Sequence, residues 1–427
     1  MIAIVDCNSF YCSCERLFLP HLHHHPVVVL SNNDGCIVSR TDEAKKLGVE
    51  MAGPYFKAKP LIEKFNIATF SSNYNLYGDI SWRVMETLRI LMGNDNVEVY
   101  SVDEAFLHIT DWQNIDLEKT ALHIRHTVEQ WTGINVSIGV APTKVLSKVA
   151  NRLAKKNKIK TNCSIVLKTK EQIKDALQNT PVVDVWGIGR QYAEKLKEQY
   201  AVFTAYDLSC KSEYWAQKNL GGVVGVRLIK ELNGETATVL KEEFTQKKMI
   251  ATTRMFGSGV TNCLHIKEAI ATYTARAAEK LRRQNSAASV ISIFIVHKNN
   301  DNKEGGYKFG ITKSAYTTLP MATSATNELI KAAIPLVETL FTQGKVYKKA
   351  GVILSGIVED EHIQGNLFNN HTNHHRFLMS MVDNINFSMR DDILKFAASG
   401  TKRNWKMRQE LRSPRYTTRW EELKKVK

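Results

Sequence analysis

The sequence predicts an α+β protein divided among several domains. Three observations carry this. A chain of 427 residues is too long for one ordinary hydrophobic core, so about three to five units are expected. Short apolar runs of strand length alternate with segments of helical periodicity. With residues 20–70 set aside, the order up to residue 156 is β-α-β-β-α-β. That is the split, ferredoxin-like arrangement, in which the first and third strands lie side by side.

The elements follow in order. Residues 2–6 form a short apolar strand with Asp6 at its tip. A helix is predicted over 8–18, with Asn8 or Ser9 as N-cap. Pro20 and Pro26 bracket the histidine-rich residues 21–25; a buried strand at 27–30 and a polar loop at 31–35 follow. Helices are predicted over 39–47, ended by Gly48, and over 77–92, stopped by Gly93 and Asn94. Strands at 97–101 and 105–109, a helix at 116–131, a strand at 136–140 and a basic helix at 143–156 complete the first unit. Residues 160–240 read as a small helical unit. Residues 240–355 return to mixed structure, with strands at 289–296 and 350–355 and a helix over 323–341. The remainder, 355–427, is polar and rich in His and Asn, then basic. It predicts a flexible extension carrying short docking elements.

The formal net charge is +15, and residues 401–427 hold ten Lys/Arg against three Asp/Glu. A basic surface suits a polyanionic partner, nucleic acid above all. The seven cysteines lack paired metal-ligand spacing, and neither histidine cluster, 21–25 or 371–375, has the spacing of a zinc site. Asp6 interrupts the first apolar run, so no secretory signal is expected, and no uncharged stretch reaches membrane-spanning length. The expected setting is cytoplasmic, with reduced thiols and no membrane partner.

The chemistry concentrates at Asp103 and Glu104, adjacent acids within the β-prone run 97–107. Like charges side by side are costly to bury unless a cation neutralises them. A divalent metal suits such hard oxygen ligands, and Asp6 supplies a third carboxylate from another strand end. Three carboxylates on two strand ends point to a two-metal site for phosphoryl transfer. Farther along, Val185-Trp186-Gly187-Ile188-Gly189 is similar to the hairpin of a helix-hairpin-helix motif. There Gly187 and Gly189 would let backbone N–H groups approach a DNA phosphate.

Together these motifs resemble the Y-family DNA polymerases, enzymes that copy past damaged bases. The first motif appears as an apolar strand, Asp6, the aromatic pair Phe10 and Tyr11, and Glu15; the second is Ser101-Val102-Asp103-Glu104. The third is Ser137-Ile138-Gly139-Val140-Ala141 leading into Lys144, Lys148 and Lys155. The run Leu30-Ser31-Asn32-Asn33-Asp34-Gly35-Cys36 is similar to the bacterial UmuC-like branch, the catalytic subunit of polymerase V-type enzymes. The resemblance covers about residues 1–355 and implies a right-hand polymerase. A ferredoxin-like palm would span 1–20 and 72–160, small fingers 21–71, and a helical thumb 161–238. An α/β little finger would span 239–354, and the flexible C-terminal extension 355–427.

The resemblance also implies roles. Asp6, Asp103 and Glu104 would hold two Mg²⁺ ions, with the backbone carbonyl of Cys7 on the nucleotide-binding ion. Tyr11, beside Phe10, would be the steric gate against a 2′-hydroxyl. Ser39, Arg40 and Lys45 of the fingers helix, with Lys155, would contact the triphosphate. Asp42 departs from the family, where many members carry Tyr three residues before the cationic position. The peptide Gln364-Gly365-Asn366-Leu367-Phe368 resembles a sliding-clamp docking motif through Gln364, Leu367 and Phe368. Trp405, Tyr416 and Trp420, set among cations, would bind DNA or a protein surface. The implied activity is error-prone translesion synthesis in the SOS DNA damage response. The implied partners are primer–template DNA, dNTP, a cleaved UmuD-like accessory dimer, a RecA-like recombinase filament and the sliding clamp. Two rivals share parts of this pattern: a non-catalytic DNA-binding scaffold and a nucleotide cyclase. The intact acids oppose the first; the hairpin, the net charge and the clamp-like peptide oppose the second.

Overall fold

The computed structural model describes residues 1–111, 113–238, 246–299, 310–365, 374–389 and 392–423. They divide into two compact units, Met1–Ser31 with Gly35–Phe244 and Leu411–Lys427, and Asn32–Asp34 with Thr245–Glu410.

The first unit opens with β1 (Ile2–Cys7) and α1 (Phe10–Leu17). The subdomain that follows contains β2 (Val27–Leu30), β3 (Ile37–Arg40), α2 (Asp42–Lys46), α3 (Tyr55–Lys64) and β4 (Ala68–Ser71), its strands ordered β3-β2-β4. The single helix expected over 39–47 is corrected here. Residues 37–40 pair with β2 as a strand, and Thr41 caps a separate helix by accepting from the Ala44 N–H. Ser39 and Arg40 therefore lie on a strand. Next come α4 (Tyr74–Met92), β5 (Val97–Val99), β6 (Glu104–His108), α5 (Leu117–Thr132), β7 (Val136–Ala141), α6 (Lys144–Lys156), α7 (Lys158–Thr161) and β8 (Ser164–Val166). Their five-stranded sheet runs β5-β6-β1-β7-β8, with β1 antiparallel to both neighbours.

The period-2 alternation of β1 sorts its residues by face. Ala3 and Val5 join Leu76, Val84, Leu88, Ile124 and Val128 of α4 and α5 in the main core. Ile2, Ile4 and Asp6 take the opposite face. Register places Gly139, Ile4, Phe106 and Glu98 in one row across the sheet, and Ser137, Asp6 and Glu104 in the next. Helix α6 lies on this face, in contact with β7 and β1. Gly139 permits the approach: a Cβ there would stand 2.2 Å from the Ser147 carbonyl oxygen and 2.3 Å from the Asn151 nitrogen. A helical subdomain follows, with α8 (Lys170–Gln178), α9 (Arg190–Tyr200), α10 (Ala205–Ser209), α11 (Glu213–Asn219) and α12 (Val223–Leu232) around their own core. Glu231 of α12 ties it to α6, accepting from the Val145 N–H at 3.0 Å.

The second unit repeats a β-α-β-β-α-β order. It contains β9 (Ile250–Val260), α13 (Cys263–Arg283), β10 (Ser286–His297), β11 (Ile311–Thr323), α14 (Thr326–Leu340) and β12 (Tyr347–Glu359). The strands are ordered β11-β10-β12-β9, all antiparallel, and α13 and α14 pack against each other.

The expectation of a flexible extension over 355–427 is corrected for its described residues. Helix α15 (His374–Ser388) is fixed to α13 by Arg282, whose Nε and Nη2 each donate to Asp383 at 2.7 Å. Trp405 is buried in the second unit against Tyr273. Tyr416 is buried in the first unit, stacked on Phe18 with ring centroids 4.6 Å apart. Neither ring is open for stacking on a base, whereas Trp420 is exposed. A few large side chains found packing sites, and that outweighed the polar composition of the segment.

Candidate active site and family

The site assembles on the α6 face of the five-stranded sheet. Asp6 and Glu104 are register partners on neighbouring strands, and the Cys7 N–H donates to the Asp103 carbonyl at 2.8 Å. The hairpin between β5 and β6 is tied by two N–H groups, of Tyr100 and Ser101, that both donate to the Glu104 carbonyl at 3.0 Å. Within it the Ser101 hydroxyl donates to Asp103 Oδ1 at 2.5 Å, which aims that carboxylate. The strand-to-helix turn after β1 is tight: Ser9 takes left-handed φ and ψ of 46° each, a conformation costly for a residue with a Cβ. The turn sets Phe10 and Tyr11 directly after the acidic strand end.

Helix α6 brings the cations. Lys144, Lys148 and Lys155 recur at intervals of four and seven, which places them along one helical face. Lys155 pairs with Asp6. Lys148 donates to Glu104 Oε1 at 2.8 Å, and its ammonium lies over the rings of Tyr100, Trp186 and Phe106 at 4.7, 5.6 and 5.8 Å. Lys144 is fully buried against Glu98 at 2.5 Å. Burial pushes the Asp6 carboxyl up to about 7; the Lys155 ammonium opposes that rise, and the Glu104 charge adds to it.

Among the described residues, no group of three or more His, Cys, Asp or Glu side chains is arranged to hold a metal ion. Asp6 and Glu104 are each turned to a lysine and Asp103 to Ser101. The donor chemistry does fit a hard divalent cation, since three carboxylates gather at the adjoining ends of β1 and β6, where their mutual repulsion calls for positive charge.

The remaining predicted residues fall as follows. Phe10 is buried in the main core, and Tyr11 is partly exposed. Tyr11 stacks on Tyr77 with centroids 4.5 Å apart and meets Tyr74 edge-on at 6.0 Å. Ser39 is buried, Arg40 donates to the Val49 carbonyl, and Lys45 is exposed. Asp42 pairs with Lys158. Gly187 needs its φ of 94°, while Gly189 caps α9 with an ordinary φ of −78°. A Cβ at either glycine would meet nothing within 4 Å, so their backbone faces open space. Gln364 is exposed; Leu367 and Phe368 lie outside the described residues. Sequence reasoning missed Trp186 and Tyr77 as supports of the site. The signal for Trp186 was its place beside the hairpin glycines.

The architecture is that of a Y-family DNA polymerase. A chimera of the Y-family polymerases Dbh and Dpo4 matches with a TM-score of 0.65 at 22% identity, over 84% of this chain and 99% of that one. An insertion ternary complex of Dbh DNA polymerase matches at 0.54, again at 22% identity and the same coverage. The chain belongs to the impB/mucB/samB family: residues 5–152 match that family and 247–367 its C-terminal domain, while 376–426 match a domain of unknown function. UmuC of Salmonella typhimurium is 39% identical over the full length of both chains. SamB of the same organism is 35% identical, also over the full length of both. DNA polymerase IV 1 of Bacillus subtilis is 29% identical over 83% of this chain and 80% of that one. The protein is a translesion DNA polymerase, a nucleotidyltransferase. No helix among the described residues is long and apolar enough to cross a membrane.

Proposed function

We propose that the protein extends a primer 3′-OH past damaged template bases in the SOS response, with Asp6, Asp103, Glu104 and the Cys7 carbonyl holding two Mg²⁺ ions. The observation that carries this is the pair of carboxylates, Asp6 and Glu104, side by side on the sheet and facing Lys155 and Lys148 of α6. The ions would supply activation of the 3′-OH and stabilisation of the leaving pyrophosphate. The chain's own groups do the rest. Asp6 and Glu104, each paired with a lysine in the structure, would hold the ions, which would leave Lys155 to meet the triphosphate as a point charge. Lys45, exposed on α2, approaches the same phosphates, and Ser39 and Arg40 shape the strand beneath. Tyr11, beside Phe10 and propped on Tyr77, excludes a 2′-hydroxyl and so selects dNTP over ribonucleotides.

The palm is read as 1–20 and 72–160, the fingers as 21–71, the thumb as 161–238 and the little finger as 239–354. The backbone at Gly187 and Gly189 meets a phosphate of primer–template DNA. Gln364, Leu367 and Phe368 dock the sliding clamp. A UmuD-like accessory dimer and a RecA-like filament are the further partners.

The test is primer extension past an abasic site with Mg²⁺, run alone and with clamp, accessory dimer and activated recombinase. Asp103→Ala/Glu104→Ala should lower the rate by at least about 10³-fold, because it removes charge balanced in the transition state. Extension that persists in that variant would overturn the assignment of these acids.

A further inference from the structure

The strap that begins at Leu411 lies in a stretch that matches a domain of unknown function, yet it belongs to the first unit, the one that carries Tyr11. Leu411 and Ser71 exchange two hydrogen bonds: the Ser71 N–H donates to the Leu411 carbonyl at 3.0 Å, and the Leu411 N–H to Ser71 Oγ at 2.9 Å. Two residues on, Ser413 is buried. Asn73 Nδ2 donates to its carbonyl and to its hydroxyl, each at 3.0 Å, and to the Pro414 carbonyl at 3.2 Å. The Ser413 hydroxyl in turn donates to Glu15 Oε1 at 3.0 Å.

Glu15 is wholly buried, and its other oxygen, Oε2, has no hydrogen-bond partner. Its first oxygen also accepts from the Tyr77 hydroxyl at 2.6 Å. Tyr77 is the ring on which Tyr11 lies, nearly parallel at 15°. Tyr11 and Glu15 are four residues apart on α1, so they share one helical face, and Tyr77 spans both. Asn73, which grips the strap, also caps α4 by accepting from the Leu76 N–H, and α4 carries Tyr74 and Tyr77. A buried carboxylate with two donors on one oxygen holds its neighbours in place only while both donors remain. Removing Ser413 leaves the Tyr77 hydroxyl as the sole anchor.

We propose that the strap is a positioning element for sugar selection: Ser413 fixes Glu15, Glu15 fixes Tyr77, and Tyr77 sets the height of the Tyr11 ring. This rests on the reading of Tyr11 as the ring that faces the sugar. Ser413 is a positioning residue, since it acts only through Glu15 and Tyr77.

The test measures kcat/KM for dCTP and CTP opposite template guanine, using the full chain and the partners that support extension. Ser413→Ala should raise relative ribonucleotide use about fivefold, the weight of one hydrogen bond, with dCTP use changed by less than about twofold. Ser413→Thr, which keeps the hydroxyl, should restore the wild-type ratio. In a Tyr11→Ala background, Ser413→Ala should add nothing, because the ring it positions is gone. An unchanged ratio in Ser413→Ala, where Tyr11→Ala relaxes selection, overturns the strap's role alone. So does an equal effect of Ser413→Ala with and without Tyr11. A Tyr11→Ala variant that discriminates as the wild type does removes the sugar-gate reading, and this proposal with it.

Discussion

Lys148 holds Glu104 at 2.8 Å while its ammonium sits 4.7 Å from the centre of the Tyr100 ring. The lysine is therefore fixed on both sides and answers a carboxylate that the proposed mechanism assigns to metal. Lys148→Met should cost about 2 kcal/mol without metal, between the values of exposed and buried pairs, because Glu104 then stands near Asp6 and Asp103 with its own lysine gone. Mg²⁺ should recover most of that loss, since no lysine competes for Glu104. Thermal melts with chelator and with Mg²⁺ check this: an equal loss in both would mean that the ion does not use Glu104.

Gly139 decides how close α6 comes to the sheet. Its missing Cβ would sit 2.2 and 2.3 Å from backbone atoms of Ser147 and Asn151, which cannot swing aside as a side chain can. Gly139→Ala should therefore push the helix off β7 and cost about 3 kcal/mol or more. Lys148 and Lys155 would move with it, so extension should fall even where the variant folds. A denaturant midpoint equal to that of the wild type would contradict the packing described here.

Much of the site was legible before the fold was known. Asp6 stood at the tip of one apolar run and Asp103 and Glu104 within another, and the lysines recurred at helical spacing in α6. These are local patterns, and period alone assigns their faces. What escaped the sequence was non-local. Asn73 and Ser413 meet across 340 residues, and no periodicity in a basic, polar tail announces a buried serine. Likewise β11 was missed because most of its residues are exposed or half-exposed, so its alternation is weak. The helix signal of Asp42–Lys46 hid the strand before it, since the change from period 2 to 3.6 falls within three residues.

Glu15 gives the protein a pH dependence of defined sign. Burial is the largest cause that pushes its carboxyl from the ordinary 4.5 up to about 7, against hydrogen bonds from Tyr77 and Ser413 that pull it down. The folded protein thus keeps a proton that the unfolded chain has released. The stability this confers is complete below about pH 4.5 and is lost as pH rises through 7, about 3 kcal/mol in all. Asp6 is raised in the same direction, so the wild-type profile should fall steeply across this window. Glu15→Gln removes one of the two contributions and should flatten the fall between pH 5 and 8, read from urea midpoints. Parallel profiles would show that Glu15 ionises in the fold as it does in water.

Tyr416 tests whether the C-terminal segment is an integral part of the first unit. Its ring is buried and stacks on Phe18, the residue that ends α1, with planes 18° apart. The backbone next to it is pinned as well, because the Arg415 N–H donates to Glu422 Oε2 at 2.5 Å. Truncating a buried aromatic ring of this kind costs about 3 kcal/mol or somewhat more. The loss should fall on local opening of the segment, since Tyr416 is the side chain through which it joins the main core. Tyr416→Ala should therefore speed protease cleavage within 411–423 by about 100-fold, with cleavage rate tracking the open population. Tyr416→Phe keeps the stack and should be cleaved far more slowly than Tyr416→Ala. Equal cleavage rates for Ala and wild type would mean that the ring pair does not hold the strap.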